Sequence, residues 1–369
     1  MSFVSRPTRA RVDLGAVVSN FRLFRRRTQK RVLCVVKADA YGHGAVPVAR
    51  ALEGAGADFF CVAIAEEAVG LRRAGLRSPI LLLNFCRAGD VALHRAYGLT
   101  PTLSSLAQIR EFEEATRGFP APLPVHLKID TGLTRLGILP GEIPEAASVL
   151  RRSRGLDVEA VFTHFSHGDE PEGPFVESQS AAAREAFEAA DRAGIAFRWR
   201  HLANSGAALA GKGIWCEGVR PGLSLYGVLP RETDSEPEIR AAMSWETEVI
   251  AVKRVAPGTA VGYGGRFVTR RPSALAVLPI GYHDGYRRAF AGRVPVLFRG
   301  GPAPIAGVIS MDLTVCDVTD FGATLGEPAV LMGRMEKGRV TAHDLARAAD
   351  TIPYEIFSGI GARVPRVHS

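Results

Sequence analysis

The chain has 369 residues, 47% of them hydrophobic and 23% charged. Those proportions exclude a disordered, collagen-like or small disulfide-stapled chain and leave ample material for a large core. The net charge is +8, yet only residues 22–30 are densely basic and no aromatic platform accompanies them, so no nucleic-acid partner is expected.

The length suits about two or three domains. The first residues lack the apolar core of a secretory signal. No apolar run reaches the ~18 residues of a membrane span, so no membrane partner is expected. The five cysteines are widely spaced with no C-x-x-C pair. That pattern fits small buried thiols better than disulfides or a thiolate metal site. A cytoplasmic location is the expectation.

From residue 10 to residue 229, short apolar runs alternate with amphipathic stretches. Strands are predicted over 32–36, 59–63, 80–83, 98–103, 125–129, 158–163, 197–203 and 219–226. Helices are predicted over 45–53, 64–74, 104–116, 144–152 and 178–193. About eight such units predict an N-terminal α/β domain, a (β/α)8 barrel of the TIM type. A doubly wound sheet is the alternative, but no Gly-x-Gly-x-x-Gly follows the first strand. The polar residues 231–240 predict a linker. Beyond it, runs at 247–255, 274–280, 294–298, 305–308, 313–318 and 329–332 stand between Gly and Pro. They predict a C-terminal, mainly-β domain. One helix is predicted over 341–349, with Thr341 as N-cap and Asp344 at N3. The expected division is therefore 1–236 for the barrel and 237–369 for the β domain.

In a barrel of this kind, reactive side chains sit where strands end. Lys37 closes the run 32–36, where partial desolvation lowers an amine's pKa and makes it nucleophilic toward a carbonyl. The alternative is a lysine snorkelling to water. Period two places His126, Lys128 and Asp130 on one strand face, opposite Val125, Leu127 and Ile129. An inward Lys128 needs an anion, an altered charge or deprotonation; an ion pair with Asp130 is the plain alternative. Arg135 follows in the same loop. His164, His167 and Asp169 form a His-x-x-His-x-Asp cluster with no clear further ligand, so no metal is expected. His201 lies on the next strand, and Asn204-Ser205-Gly206 opens a helix whose amides suit a phosphate. Arg220-Pro221-Gly222-Leu223 is a further strand-to-loop turn. One mouth then offers a carbonyl-trapping amine and an anion cradle, which suits a phosphorylated aldehyde cofactor or an aldolase-like sugar phosphate.

Val36-Lys37-Ala38-Asp39-Ala40-Tyr41-Gly42-His43-Gly44 resembles the pyridoxal-phosphate lysine motif of the alanine racemase family. So do residues 126–132 with Arg135-Leu136-Gly137, Thr163-His164-Phe165, Ala203-Asn204-Ser205 and Val219-Arg220-Pro221-Gly222. In the second half the matching blocks are Val261-Gly262-Tyr263-Gly264, Gly281-Tyr282 with Asp284-Gly285, Ser310-Met311-Asp312 and Arg363-Val364-Pro365-Arg366. The ordered set covers nearly the whole chain.

The resemblance implies a pyridoxal-phosphate-dependent alanine racemase supplying D-alanine for the cell wall. It further implies a homodimer with shared active sites and a small amino-acid substrate. By resemblance, Lys37 holds the cofactor and serves as one base, and Tyr263 from the partner is the base on the opposite face. His164 would be the proton partner of Tyr263. Tyr41, Asn204, Ser205 and the Gly222-Leu223 backbone would bind the cofactor. Arg220 would face its ring nitrogen with His201 behind. Lys128 resembles the family's carbamylated lysine, with Arg135 beside it. Tyr282, Met311 and Asp312 would line the substrate site together with Arg135. Two positions depart from the family pattern. Ala362 stands where some members carry tyrosine, and His283 stands where Gly-Tyr-x-Asp-Gly has a small residue. Both point to a wider channel and to turnover of serine or larger amino acids. Rival readings are a serine or broad-specificity racemase, a D-threonine aldolase-like enzyme and a pyridoxal-phosphate carrier protein.

Overall fold

The computed structural model describes residues 6–232 and 235–369. Residues 1–5, within the stretch read for a signal, and residues 233–234, within the expected linker, lie outside the described residues. The chain divides into two compact units. One comprises Ala16–Ala40 and Ala45–Arg240; the other comprises Met1–Gly15, Tyr41–Gly44 and Ala241–Ser369.

This division differs at the N-terminus from the expected 1–236 barrel. The first strand, β1 (Arg9–Val12), pairs outside the barrel, antiparallel to residues 243–246 and parallel to 366–368. Strand pairing is non-local, and nothing in the local sequence of β1 says which sheet will take it.

The first unit is mixed α/β around a closed sheet. Its strands run in chain order: β2 (Arg31–Val35), β3 (Phe59–Val62), β4 (Ile80–Leu82), β5 (Leu99–Leu103), β6 (Leu123–Lys128), β7 (Leu156–Phe162), β8 (Trp199–His201) and β9 (Gly218–Val219). Each pairs in parallel with the next, and β9 closes on β2. All residues of β3, β4 and β5 are buried. Burial at every position is what strands covered on both faces show. The ladder between β6 and β7 carries one irregularity. Val125 opposes Val158 and His126 opposes Ala160, so Glu159 is an extra, unopposed residue.

The strand expected over 219–226 is far shorter. Only Gly218–Val219 pairs, and Leu223–Tyr226 forms a 3-10 turn. Pro221 has no N–H to offer a ladder, and this ends the strand. The helix expected over 178–193 begins earlier, as Pro174–Arg192, with proline in its first turn. The basic stretch 22–30 is mostly the end of the helix Leu14–Thr28. That helix buries Phe21, Leu23 and Phe24, while Arg26 and Arg27 pair with Glu238 and Glu236. Arginines in a last turn also complement the helix dipole.

The second unit is mainly β. In it β10 (Met243–Glu248) lies between β1 and Pro328–Met335. A separate three-stranded sheet contains Ala251–Val255, Ser273–Leu278 and Thr314–Asp317. The single strand expected over 247–255 is therefore two strands in different sheets. The run expected at 305–308 makes only a bridge between Ile305 and Cys316. Trp245, Tyr286, Phe290 and Phe298 are fully buried. Helix Ala342–Ala348 carries the Thr341/Asp344 capping box. No described helix is long and apolar enough to cross a membrane.

Candidate active site

Lys37 follows β2 at the C-terminal end of the barrel strands. Burial pushes its amine pKa down and the nearby Arg135 charge adds to this. The four residues after it, Ala38, Asp39, Ala40 and Tyr41, have φ between 52 and 54°. A left-handed turn of ordinary L-residues costs about 1–2 kcal/mol per residue. Specific hydrogen bonds hold it. The Ala38 amide donates to Glu67 at 2.6 Å, and the Asp39 carboxylate accepts the Ala45 amide at 2.7 Å. The Ala40 amide donates to the Val36 carbonyl at 2.9 Å. The strain is thus concentrated beside Lys37.

Lys128 ends β6 and is only 4% exposed. Its Nζ sits 5.7 Å from the centre of the Phe162 ring. Burial, then the charges of Arg220 and Arg135, lower its pKa to about 8. The ion pair with Asp130 weighed from the sequence does not form among the described residues. Asp130 is occupied elsewhere, accepting the amides of Gly132, Leu133, Thr134 and Arg135 at 2.9 to 3.1 Å. Those bonds outweigh burial and hold its carboxyl below the usual range. They fold the loop that carries Arg135, leaving Lys128 buried among cations.

Arg220 follows β9 and is 4% exposed. Its Nη1 donates to His201 Nδ1 at 2.5 Å. Its Nη2 donates to the carbonyls of Thr163 and Leu202 and to His164 Nδ1, at 2.7, 3.0 and 2.9 Å. Burial lowers its pKa to about 10, so it stays charged at neutral pH. Burial, then Arg220, holds His164 and His201 well below the ordinary histidine value. A guanidinium only donates, so each accepting Nδ1 is bare and each proton sits on Nε2.

Asn204 caps the helix Ser205–Leu209, its side-chain oxygen accepting the Ala207 amide at 3.1 Å. Its amide nitrogen donates to Asp169 at 3.2 Å. Ser205 Oγ accepts the Gly222 amide at 2.9 Å, joining this helix start to the turn after β9. The first amides of the two turns, Ser205, Gly206 and Leu223, have no intrahelical acceptor, the kind of group that can hold an anion. Gly206 is required there, because a Cβ would come within 2.3 Å of the Gly168 carbonyl oxygen. Of the His-x-x-His-x-Asp cluster, His167 stacks on Phe175 and Asp169 serves Asn204.

The other candidates lie in the second unit. Tyr41 is buried, with its ring 5.8 Å from that of Tyr354. Asp284 is fully buried and binds both Arg6 Nη atoms, at 2.9 and 2.8 Å, and Arg363 Nε at 3.1 Å. Burial pushes the Asp284 carboxyl up, but Arg6, the Gly281 amide and Arg363 outweigh it and hold it below the usual range. Arg363 also pairs with Asp312 at 2.8 Å. The Tyr282 and His283 amides donate to the Ser310 and Met311 carbonyls at 3.0 and 3.2 Å. A Cβ on Gly281 would sit 2.3 Å from both those oxygens, so only glycine permits this approach. Three separate sequence motifs thus form one platform presenting Tyr282, Met311 and Asp312. Tyr263 is 77% exposed.

Sequence reasoning did not single out Glu159 or the Thr163 and Leu202 carbonyls. The only available signal was that Glu159 interrupts an otherwise apolar run.

A family model described as the alanine racemase N-terminal domain matches residues 12–230, and the corresponding C-terminal domain matches 242–368. The alanine racemase of Thermobifida fusca is 40% identical over 364 residues, covering 98% of this chain and 97% of that protein. That of Geobacter sulfurreducens is 39% identical over 372 residues, covering 99% and 97%. The crystal structure of the Bacillus anthracis alanine racemase with bound L-Ala-P superposes with a TM-score of 0.93 at 31% identity, covering 100% of this chain and 96% of that one. The Bartonella henselae enzyme with covalently bound pyridoxal phosphate gives 0.90 at 29% identity, covering 98% and 99%. With both domains matched in order, and relatives this similar along nearly their full length, the chain belongs to the alanine racemase family.

Proposed function

We propose that this chain interconverts L-alanine and D-alanine with pyridoxal phosphate, using two bases on opposite faces of the substrate, one from each subunit of a homodimer. The observation that carries this reading is the match of both domains to alanine racemases. The barrel mouth fits the cofactor: a lysine amine of lowered pKa for its aldehyde, helix-start amides for its phosphate and a fixed guanidinium for its ring. When bound, pyridoxal phosphate supplies an aldehyde that takes up amines and a ring that acidifies the substrate Cα–H bond.

The chain's own residues then divide the work. Lys37 Nζ takes or returns the Cα proton on one face, and Tyr263 of the partner subunit does so on the other. A free tyrosine titrates near ~10, so its phenolate needs support. His164, neutral and protonated on Nε2, is the donor for that role. Tyr41, Asn204, Ser205, Gly222 and Leu223 hold the phosphate end. Arg220 keeps its proton and so cannot hand one to the ring nitrogen, which favours proton return to Cα over side reactions. His201 backs Arg220. Lys128 is read as carbamylated: its neutral Nζ attacks CO2, an N–C bond forms and one proton leaves. The product is an anion where a buried cation was unfavourable. Arg135, Tyr282, Met311 and Asp312 line the substrate site, the latter three from the partner.

The exposure of Tyr263, Met311 and Tyr282 supports a partner surface over the second unit. Eight parallel strands in chain order support a TIM-type (β/α)8 barrel for the closed sheet. Five buried, free cysteines suit a cytoplasmic enzyme, and D-alanine for the cell wall is its proposed product. A wider substrate range is favoured by Ala362 and His283, both exposed, and serine is the first substrate to try.

Chiral chromatography of L-alanine incubated with the protein and pyridoxal phosphate tests the reading. Convergence on a near-equal mixture is expected, with loss in Lys37→Ala. Unchanged L-alanine in a cofactor-loaded sample would contradict it.

A further inference from the structure

The hydrogen bonds of Arg220 do not stop at His201. His201 Nε2 lies 3.0 Å from His126 Nδ1, and both rings are fully buried. Since Arg220 donates to His201 Nδ1, the His201 proton sits on Nε2 and must be given to His126. His126 Nδ1 therefore accepts, and the His126 proton is forced onto Nε2. That atom is buried and has no hydrogen-bond partner, yet it lies 3.6 Å from Glu159 Oε2. The contact is short of a full hydrogen bond, but a small approach closes it.

Glu159 stands at the β7 irregularity, as the extra residue between the pairs Val125–Val158 and His126–Ala160. The unbroken register would set Glu159 itself opposite His126; with the bulge Ala160 takes that place, and the Glu159 carboxylate still comes within 3.6 Å of His126 Nε2. The relay is packed tightly: Phe162 stacks on His201 at 4.5 Å, and Trp199 meets His126 edge-on at 5.0 Å. Burial pushes the Glu159 carboxyl up, but His126 and the Trp199 indole outweigh it, so Glu159 is the anionic end.

We propose that Glu159 and His126 are positioning residues that act on Arg220 through His201, fixing a single proton order from the β7 bulge to the guanidinium. An anion at the far end polarises each link in the same sense. It favours the tautomer of His201 that can accept from Arg220, and so holds the guanidinium plane in place. The proposal rests on the reading that Arg220 lies beside the cofactor ring.

Nuclear magnetic resonance of the holoenzyme with 15N-labelled histidine reads the proton order directly. The expected result is a proton on Nε2 of both His126 and His201. In Glu159→Leu the slowly exchanging His126 Nε2 proton signal should be lost and the visible absorbance band of the bound cofactor should shift. In Glu159→Gln, whose side-chain oxygen still accepts, both should stay near wild type. A proton on Nδ1 of either ring overturns the proposal without need of any variant. So does an unchanged His126 signal in Glu159→Leu. If both Nε2 protons are present but Arg220→Lys leaves the absorbance unchanged, the relay stands and the placement of Arg220 beside the cofactor fails.

Discussion

The barrel mouth and the Asp284 platform both bury charge, and they do so in opposite ways. On the platform one buried carboxylate is saturated by two arginines and a backbone amide. Its charge is compensated within the chain, as a structural ion cluster requires. At the mouth, Lys37, Lys128 and Arg220 gather with two histidines forced neutral, and Asp130 is spent on loop amides. Among the described residues, the anion that the histidine relay links to Arg220 is the distant Glu159. A self-satisfied cluster presents side chains; a cluster left in excess of one sign is built for a ligand of the other. On the proposed function, the phosphate of pyridoxal phosphate and the substrate carboxylate would supply that sign.

The largest effect that would break this contrast is at Lys37. Lys37→Ala should lower racemisation by about 10³-fold or more, since the nucleophile and one base are lost together. A chiral assay of the purified variant measures it, and retention of most activity would remove Lys37 from the chemistry. On the platform, Asp284→Ala should cost about 3 kcal/mol of stability, because two partly buried arginines lose their partner. Urea denaturation reads that loss. The carboxyl of Asp284 is held below its unfolded value. Its contribution is therefore complete above about pH 4 and disappears as pH falls through the folded value. An acid titration of Asp284→Ala should accordingly lack that part of the wild-type transition.

Lys128 sharpens the contrast from the other side. With its pKa lowered to about 8, the bare amine opposes folding at neutral pH, and stability should rise as pH climbs from about 8 toward the unfolded value. Lys128→Met should stabilise the unmodified protein by about 2 to 3 kcal/mol at neutral pH while lowering activity. Carbamylation predicts a second sign: CO2-depleted buffer should reduce wild-type activity and leave Lys128→Met unaffected. The smallest effect lies away from both regions. Thr341→Ala should cost about 1 kcal/mol by removing the capping box, and thermal unfolding would show it.

The alternation of apolar runs and amphipathic stretches made the α/β unit with parallel strands legible, because strands buried on both faces read as apolar runs, a pattern a doubly wound sheet shares. Lys37 and His164 could be picked out because each stands where an apolar run ends, Lys128 because period two sets it on the polar face of its strand, and Arg220 because it opens a strand-to-loop turn. The Thr341 and Asp344 cap was legible because its chemistry is local. What stayed hidden is non-local. β1 contributes to a sheet more than 200 residues away in the chain, and no window around it carries that pairing. The run 247–255 reads as one strand because the switch between sheets at Val249 leaves the apolar pattern unbroken. Glu159 was not singled out in the sequence, because its neighbour His126 lies on another strand and only the register of β6 against β7 brings the two together.

Subunit complementation tests the central claim most directly. Lys37→Ala and Tyr263→Phe homodimers are each expected to be nearly inactive. Mixed and allowed to exchange subunits, they should regain racemisation, because one of the two sites in a mixed dimer then pairs an intact Lys37 with an intact Tyr263 from the other chain. Mixed dimers that form and regain no activity would mean that the two bases do not meet across subunits, and would contradict the account.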